Sequence, residues 1–240
     1  MEGITEIDII ILSYAQNAEL KTITENCIGS LLASEDPAKI KFKVLVLESE
    51  KLADNFQYAG TTTIYPKEEF SYNRYLNIGI EHTNANFVCL CNNDLIFKKN
   101  WASEILKSFN KFPELSSASP ACSIHHPKHG FELFNGIYAG YRSRYELAGW
   151  CVFLKREALN RMGKLDENYK FWCADNDFSN MLMVLGLRHA LVSSAIVDHI
   201  DGATFDFQTE QRQGELTAGE FFYFEKKWNH RTESTFWNEL

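Results

Sequence analysis

The 240-residue chain has no long apolar run and no opening stretch of positive charge followed by apolar residues. Read alone, it is therefore expected neither to span a membrane nor to be secreted, with peripheral membrane docking left open. It also has no Lys/Arg-rich run, and its net charge is −8. A nucleic-acid binder needs a basic stripe to displace counterions from phosphates, so that class is excluded. An acidic balance still permits a nucleotide ligand, because a divalent ion neutralises a diphosphate locally. None of the six cysteines, at positions 27, 89, 91, 122, 151 and 173, belongs to a C-x-x-C pair. Reduced, mostly buried thiols in a cytoplasmic protein are the expectation. Internal repeats, low-complexity tracts and linkers are lacking as well, and the chain reads as one domain.

Apolar residues make up 45% of the chain and charged residues 23%, a composition that can bury a core. Residues 7–13 form a β-branched apolar run of the kind buried parallel strands show. Helical spacing over 17–33 is followed by a strand at 42–48 and a short one at 61–65. A helix at 72–82, a strand at 87–91, a helix at 101–112 and a strand near 116–119 continue the pattern. Between 121 and 147 the periodicity loosens. It returns with a strand at 150–154, helices at 156–162 and 177–185, a strand at 195–199 and an aromatic-rich helix at 217–228. This alternation predicts an α/β fold with a mostly parallel central sheet and helices on both faces. Such sheets bind ligands at the carboxyl ends of their strands. Ser13, Glu48 and Asn92-Asn93-Asp94 each stand at such an end.

Three clusters carry candidate chemistry. A carboxylate at a strand end beside two amides, as in Asn92-Asn93-Asp94, suits a Mg²⁺ or Mn²⁺ ion that also takes phosphate oxygens. Taken alone, the triplet is as readily a turn. In Asp175-Asn176-Asp177, either acid can cap a helix or act as a general base. In Asp198-His199-Ile200-Asp201-Gly202, the imidazole is either a strand-end side chain or a third ligand to a divalent ion. The trio His125, His126 and His129 lacks the cysteines and carboxylates of a zinc site and reads as a flexible loop.

Taken in order, these segments resemble the family 2 glycosyltransferases of the GT-A fold, from about residue 7 to 228. Leu12-Ser13-Tyr14 is similar to that family's first strand and turn, and Val44-Leu45-Val46-Leu47-Glu48 to its second strand with a nucleoside-side acid. Residues 70–79, ending in Asn77-Ile78-Gly79, look like its aromatic segment ending in Asn-x-Gly, and Asn92-Asn93-Asp94 falls at its metal motif. Gly149-Trp150, Arg156-Glu157-Ala158-Leu159 and Met162-Gly163-Lys164-Leu165-Asp166-Glu167 resemble its later Gly, Arg and Gly-Gly-Phe-Asp-Glu signatures. Asp175-Asn176-Asp177, Asp198-His199 and Lys227-Trp228 follow in the family's order. The sequence departs from the pattern at Asn92, where the first acid of the metal motif usually stands, at Ala174, usually Glu, and at Glu48, usually Asp.

The resemblance implies an inverting, metal-dependent transfer of a sugar from a nucleoside diphosphate to a hydroxyl. About 1–120 would form the nucleotide-sugar half and about 121–240 the acceptor half of one domain. Ser13, Tyr14, Glu48, Asn77, Asn92 and Asn93 would meet the donor, and Asp94 and His199 would hold Mn²⁺ or Mg²⁺. Asp175 would be the catalytic base, with Asp177 the alternative base or a helix cap. Trp150 either stacks on an acceptor sugar or packs in the core. A uridine diphosphate (UDP) sugar is the leading donor and thymidine diphosphate (dTDP)-rhamnose the alternative; the acceptor is a glycan or lipid-linked. Two rivals remain. A nucleotidyltransferase would carry a Gly-rich basic loop after its first strand, which Ser13-Tyr14-Ala15-Gln16-Asn17 is not. A non-catalytic sugar- or nucleotide-binding module is the reading that Asn92 and Ala174 favour.

Overall fold

Residue 7 opens a stretch in which alternate side chains feed two different cores, and the rest of the fold is arranged around that strand. The computed structural model describes residues 3–51, 56–200 and 210–228, with 210–218 described by backbone alone. In chain order the first half comprises β1 (Thr5–Ser13), α1 (Ala18–Leu32), β2 (Ile40–Glu48), β3 (Thr62–Ile64), α2 (Tyr72–Glu81), β4 (Phe87–Cys91), β5 (Leu95–Phe97) and α3 (Trp101–Lys111). The second half comprises β6 (Leu115–Ala121), a one-turn 3₁₀ helix (His126–His129), β7 (Ile137–Ala139), β8 (Cys151–Lys155), α4 (Arg156–Met162), α5 (Ala174–Val184), β9 (Arg188–His199) and α6 (Glu210–Lys227).

The sheet order is β3-β2-β1-β4-β8-β6-β9-β5, with β7 also on β9. β1 pairs in parallel with β2 and β4, and β2 with β3. Beyond β4 the sheet is mixed: β8 runs antiparallel to both β4 and β6, while β6 and β9 are parallel. The expected parallel pairing therefore holds among β1 to β4, and in the second half it persists only between β6 and β9 among antiparallel neighbours. A parallel neighbour requires a crossover, and no helix longer than one turn lies between β6 and β8.

Ile7, Ile9 and Ile11 pack with Cys27, Leu31, Trp101 and Ile105 from α1 and α3. Ile10 and Leu12, on the opposite face, pack with Tyr75, Leu76, Leu159 and Leu182 from α2, α4 and α5. This is the two-residue period of a strand covered on both faces. Asp8 interrupts the apolar run without being left unpaired: it accepts from Ala85 N at 2.6 Å and from Arg156 Nη2 at 2.9 Å. Burial lowers the pKa of Arg156, and Asp8 opposes that shift. Arg156 thus ties the start of α4 to β1.

The cysteines are reduced, and all but Cys173 are buried. Cys89, Cys91 and Cys151 bring their sulfurs within 3.4–4.0 Å of one another, and burial pushes all three thiols up. They behave as small neutral core residues. α6 begins at Glu210, seven residues before the position expected from the sequence, because Gly214 and Gly219 weaken the helical pattern there. Asp201 and Gly202 lie outside the described residues. Among the described residues no helix is long and apolar enough to cross a membrane.

Candidate functional site

The carboxyl ends of β1 and β4 open into a cleft of about 330 Å³ whose other wall comes from the second half of the chain. Ser13 and Tyr14 reach it from β1, and Asn92, Asn93 and Asp94 from the turn after β4. Trp150, Asp175 and His199 line it from the opposite side.

Asp94 and His199 meet because β5 pairs antiparallel with the end of β9, placing Leu95 opposite His199. The Asp94 carbonyl also accepts from Ile200 N at 3.0 Å. Asp94 Oδ1 lies 3.2 Å from His199 Nε2 and, although buried, makes no hydrogen bond. Two adjacent ligands of one divalent ion are about 3 Å apart when each bond is about 2.1 Å. The pair therefore fits a single cation, and a carboxylate with an imidazole suits manganese or magnesium better than a thiophilic metal. The His199 ring is fixed by Trp150, which stacks on it at 4.9 Å between centroids and 5° between planes.

Asp175 reaches the same cleft from the first turn of α5. The helix starts at Ala174, earlier than the sequence pattern suggested, with Cys173 at its N-cap position. Asp175 is therefore not the cap. Its Oδ2 accepts from Ser143 Oγ, and its Oδ1 from Asn176 N at 3.0 Å. A Cβ at Gly149 would stand 2.7 Å from Asp175 Cβ, so only glycine lets these two segments close on each other. Asn92 ties the walls together: its N–H donates to Trp150 O at 2.9 Å, and Tyr72 Oη approaches its Oδ1 at 3.4 Å. Burial, reinforced by Asp175, raises the Tyr72 phenol.

No protein-family model matches the chain, and no curated protein sequence matches it. Solved structures do. GalNAc-T7 with UDP, GalNAc and Mn²⁺ superposes with a TM-score of 0.61 at 10% identity, over 82% of this chain and 43% of that one. S. aureus TarS 1-349 gives 0.59 at 13% identity, over 79% and 58%. The catalytic domain of Drosophila β1,4-galactosyltransferase 7 in complex with xylobiose gives 0.54 at 14%, over 89% and 79%. The fold is that of the GT-A glycosyltransferases. The chain covers about half the length of the first two of these neighbours.

On this GT-A scaffold, three of the residues singled out from the sequence lie away from the cleft. Glu48 is fully buried, accepts from Ala15 N, Glu50 N and Tyr58 Oη at 3.1, 2.8 and 3.0 Å, and so shapes the loops after β1 and β2. Asn77 uses its amide to clamp Leu165 N and O, both at 2.9 Å, holding α2 to the segment after α4. Asp177 is paired with Lys227 at 2.7 Å and with Trp228 Nε1 at 2.9 Å, beside a separate cavity of about 60 Å³. Burial raises its carboxyl pKa against the pull of Lys227. Residues two apart on a helix point to different sides, which explains why Asp175 and Asp177 separate. Within the cleft, Asn93 Nδ2 donates to Thr24 Oγ1 at 2.9 Å, and the Ser13 hydroxyl is 3.0 Å from both Thr24 Oγ1 and Tyr58 Oη. Trp150 is 8% exposed, with one face stacked on His199, so it is a packed ring rather than an open platform.

The sequence reading missed Ser143, Arg144 and Tyr72. The first two fall in the aperiodic stretch before β8; Tyr72 was legible only as part of an aromatic segment. The expected flexible histidine loop is instead anchored. His126 is fully buried, accepts from Cys122 N at its Nδ1 (2.7 Å) and donates from Nε2 to Tyr145 O (2.9 Å). His189, also buried, lies 2.8 Å from Ser117 Oγ and donates from Nε2 to Glu146 O at 3.0 Å. Burial lowers both imidazoles from 6.5 to about 4. Between those values the unfolded chain binds more protons than the folded one, so stability is full above about pH 6.5 and falls as pH drops towards 4. Urea unfolding at pH 7.5 and pH 5 should show a lower midpoint at pH 5; equal midpoints would contradict neutral burial of these rings.

Proposed function

We propose that this protein is a divalent-metal-dependent inverting glycosyltransferase acting on a nucleoside diphosphate sugar, with a glycan or lipid-linked hydroxyl as acceptor. The observation that carries the reading is the buried, unbonded Asp94 Oδ1 facing His199 Nε2 at 3.2 Å in the cleft that also holds Asp175. A Mn²⁺ or Mg²⁺ ion bound there supplies Lewis-acid neutralisation of the diphosphate leaving group. Asn92 and Asn93 hold the turn that presents Asp94, and Trp150 holds the His199 ring. Asp175, oriented by Ser143 Oγ and Asn176 N, takes the proton of the acceptor hydroxyl through a remaining lone pair. The oxygen attacks the anomeric carbon opposite the departing nucleotide, and one displacement inverts the configuration. A UDP-sugar is the leading donor, in line with the UDP and Mn²⁺ bound by GalNAc-T7; dTDP-rhamnose is the alternative.

A thermal-shift panel of nucleotide sugars with Mn²⁺ or Mg²⁺, followed by assay of released nucleotide, tests the reading. It predicts metal-dependent stabilisation by at least one donor and its turnover. Metal-dependent nucleotide binding without turnover of any donor would make the protein a binding module instead.

A further inference from the structure

Arg144 is the one permanently charged cation among the described residues lining the cleft. Neither an acid nor a carbonyl among the described residues pairs with its guanidinium, although Asp94 and Asp175 line the same cleft. Its backbone has a φ of +67°, a conformation that side-chain-bearing residues rarely hold. Two hydrogen bonds keep it there: Arg144 N donates to Leu147 O at 2.8 Å, and His125 Nε2 donates to Arg144 O at 2.7 Å. Strain of this kind persists where the surroundings over-determine it, and it concentrates at ligand-binding sites.

The position of Arg144 indicates which ligand it serves. Ser143, the preceding residue, donates to Asp175 Oδ2. The opposite wall carries Ser13, Tyr14 and Asn92 to Asp94, which the transferase reading gives to the donor diphosphate, while His199 reaches Asp94 from the side of Asp175. We propose, on the transferase reading above, that Arg144 binds an oxyanion carried by the acceptor, a carboxylate or a phosphate ester. The acceptor is then an acidic sugar or a phosphorylated glycan. Guanidinium is the side chain suited to such a group, because its planar fork meets two oxygens at once.

The test titrates glucuronate and inorganic phosphate into the protein with UDP and Mn²⁺ saturating, so that the donor diphosphate position is filled. Wild type should bind one or both anions. Arg144→Gln should weaken that binding at least tenfold, and Arg144→Lys should recover part of it, supplying charge without the fork. UDP affinity should stay within twofold in both variants. Tighter glucuronate binding indicates a uronic-acid acceptor, and tighter phosphate binding a phosphorylated one. A tenfold loss of UDP affinity in Arg144→Gln would assign the guanidinium to the donor and overturn the proposal. Absent or Arg144-independent anion binding would overturn it too. Failure of wild type to bind UDP with Mn²⁺ would count against the transferase reading itself. The same anion titration on the free protein then decides the role of Arg144 separately.

Discussion

Asp175→Asn is expected to lower sugar transfer by about 10³-fold, within the range that general-base catalysis contributes. The side chain keeps its shape, and one oxygen still accepts from Ser143 Oγ or Asn176 N, so fold and donor binding should persist. What it loses is the ability to take a proton from the acceptor hydroxyl. The expected signature is therefore a fall in kcat with little change in donor KM. Asp177→Asn is the control, since that carboxylate meets Lys227 and Trp228 and lies away from the cleft. It should reduce thermal stability more than turnover. Near-normal transfer by folded Asp175→Asn would remove Asp175 from the base role.

Asp94→Ala should have an effect at least as large. It removes the carboxylate facing His199 Nε2 at 3.2 Å, and Lewis-acid stabilisation of a leaving diphosphate is worth several kcal/mol, so a loss of about 10³-fold or more follows. Wild-type activity should vanish on chelation and return with added Mn²⁺; the variant should not respond to the ion. Asn92 offers an amide where a second acid would strengthen the proposed site, so on that proposal His199 would carry more of the ion's binding. His199→Ala should therefore resemble Asp94→Ala. Activity that survives thorough chelation would rule out the metal role.

The parts of this site that could be read from the sequence are those set by local pattern. β1, β2 and β4 announce themselves as apolar runs, and the residues at the ends of β1 and β4 border the cleft. Glu48 shows the limit of that rule: it ends β2 but turns inward to three donors. The contact between Asp94 and His199 depends on β5, a three-residue strand that no periodicity reveals, pairing with β9 about a hundred positions later. The antiparallel entry of β8 was hidden because the segment before it has no repeating apolar pattern. Ser143 and Arg144 lie in that same segment, so the hydroxyl that bonds Asp175 and the guanidinium-bearing residue that borders the cleft were invisible until the chain was folded. Gly149 was visible as part of a Gly-Trp pair, but its close approach to Asp175 is a property of packing.

The central claim is that Asp94 and His199 hold one divalent ion over the cleft that Asp175 serves. Electron paramagnetic resonance of Mn²⁺ titrated into the protein with UDP present tests it most directly. The account predicts one tightly bound ion per chain in wild type and in Asp175→Asn, and its loss in Asp94→Ala and in His199→Ala. Undiminished binding of that ion in both ligand variants, with the protein folded, would contradict it.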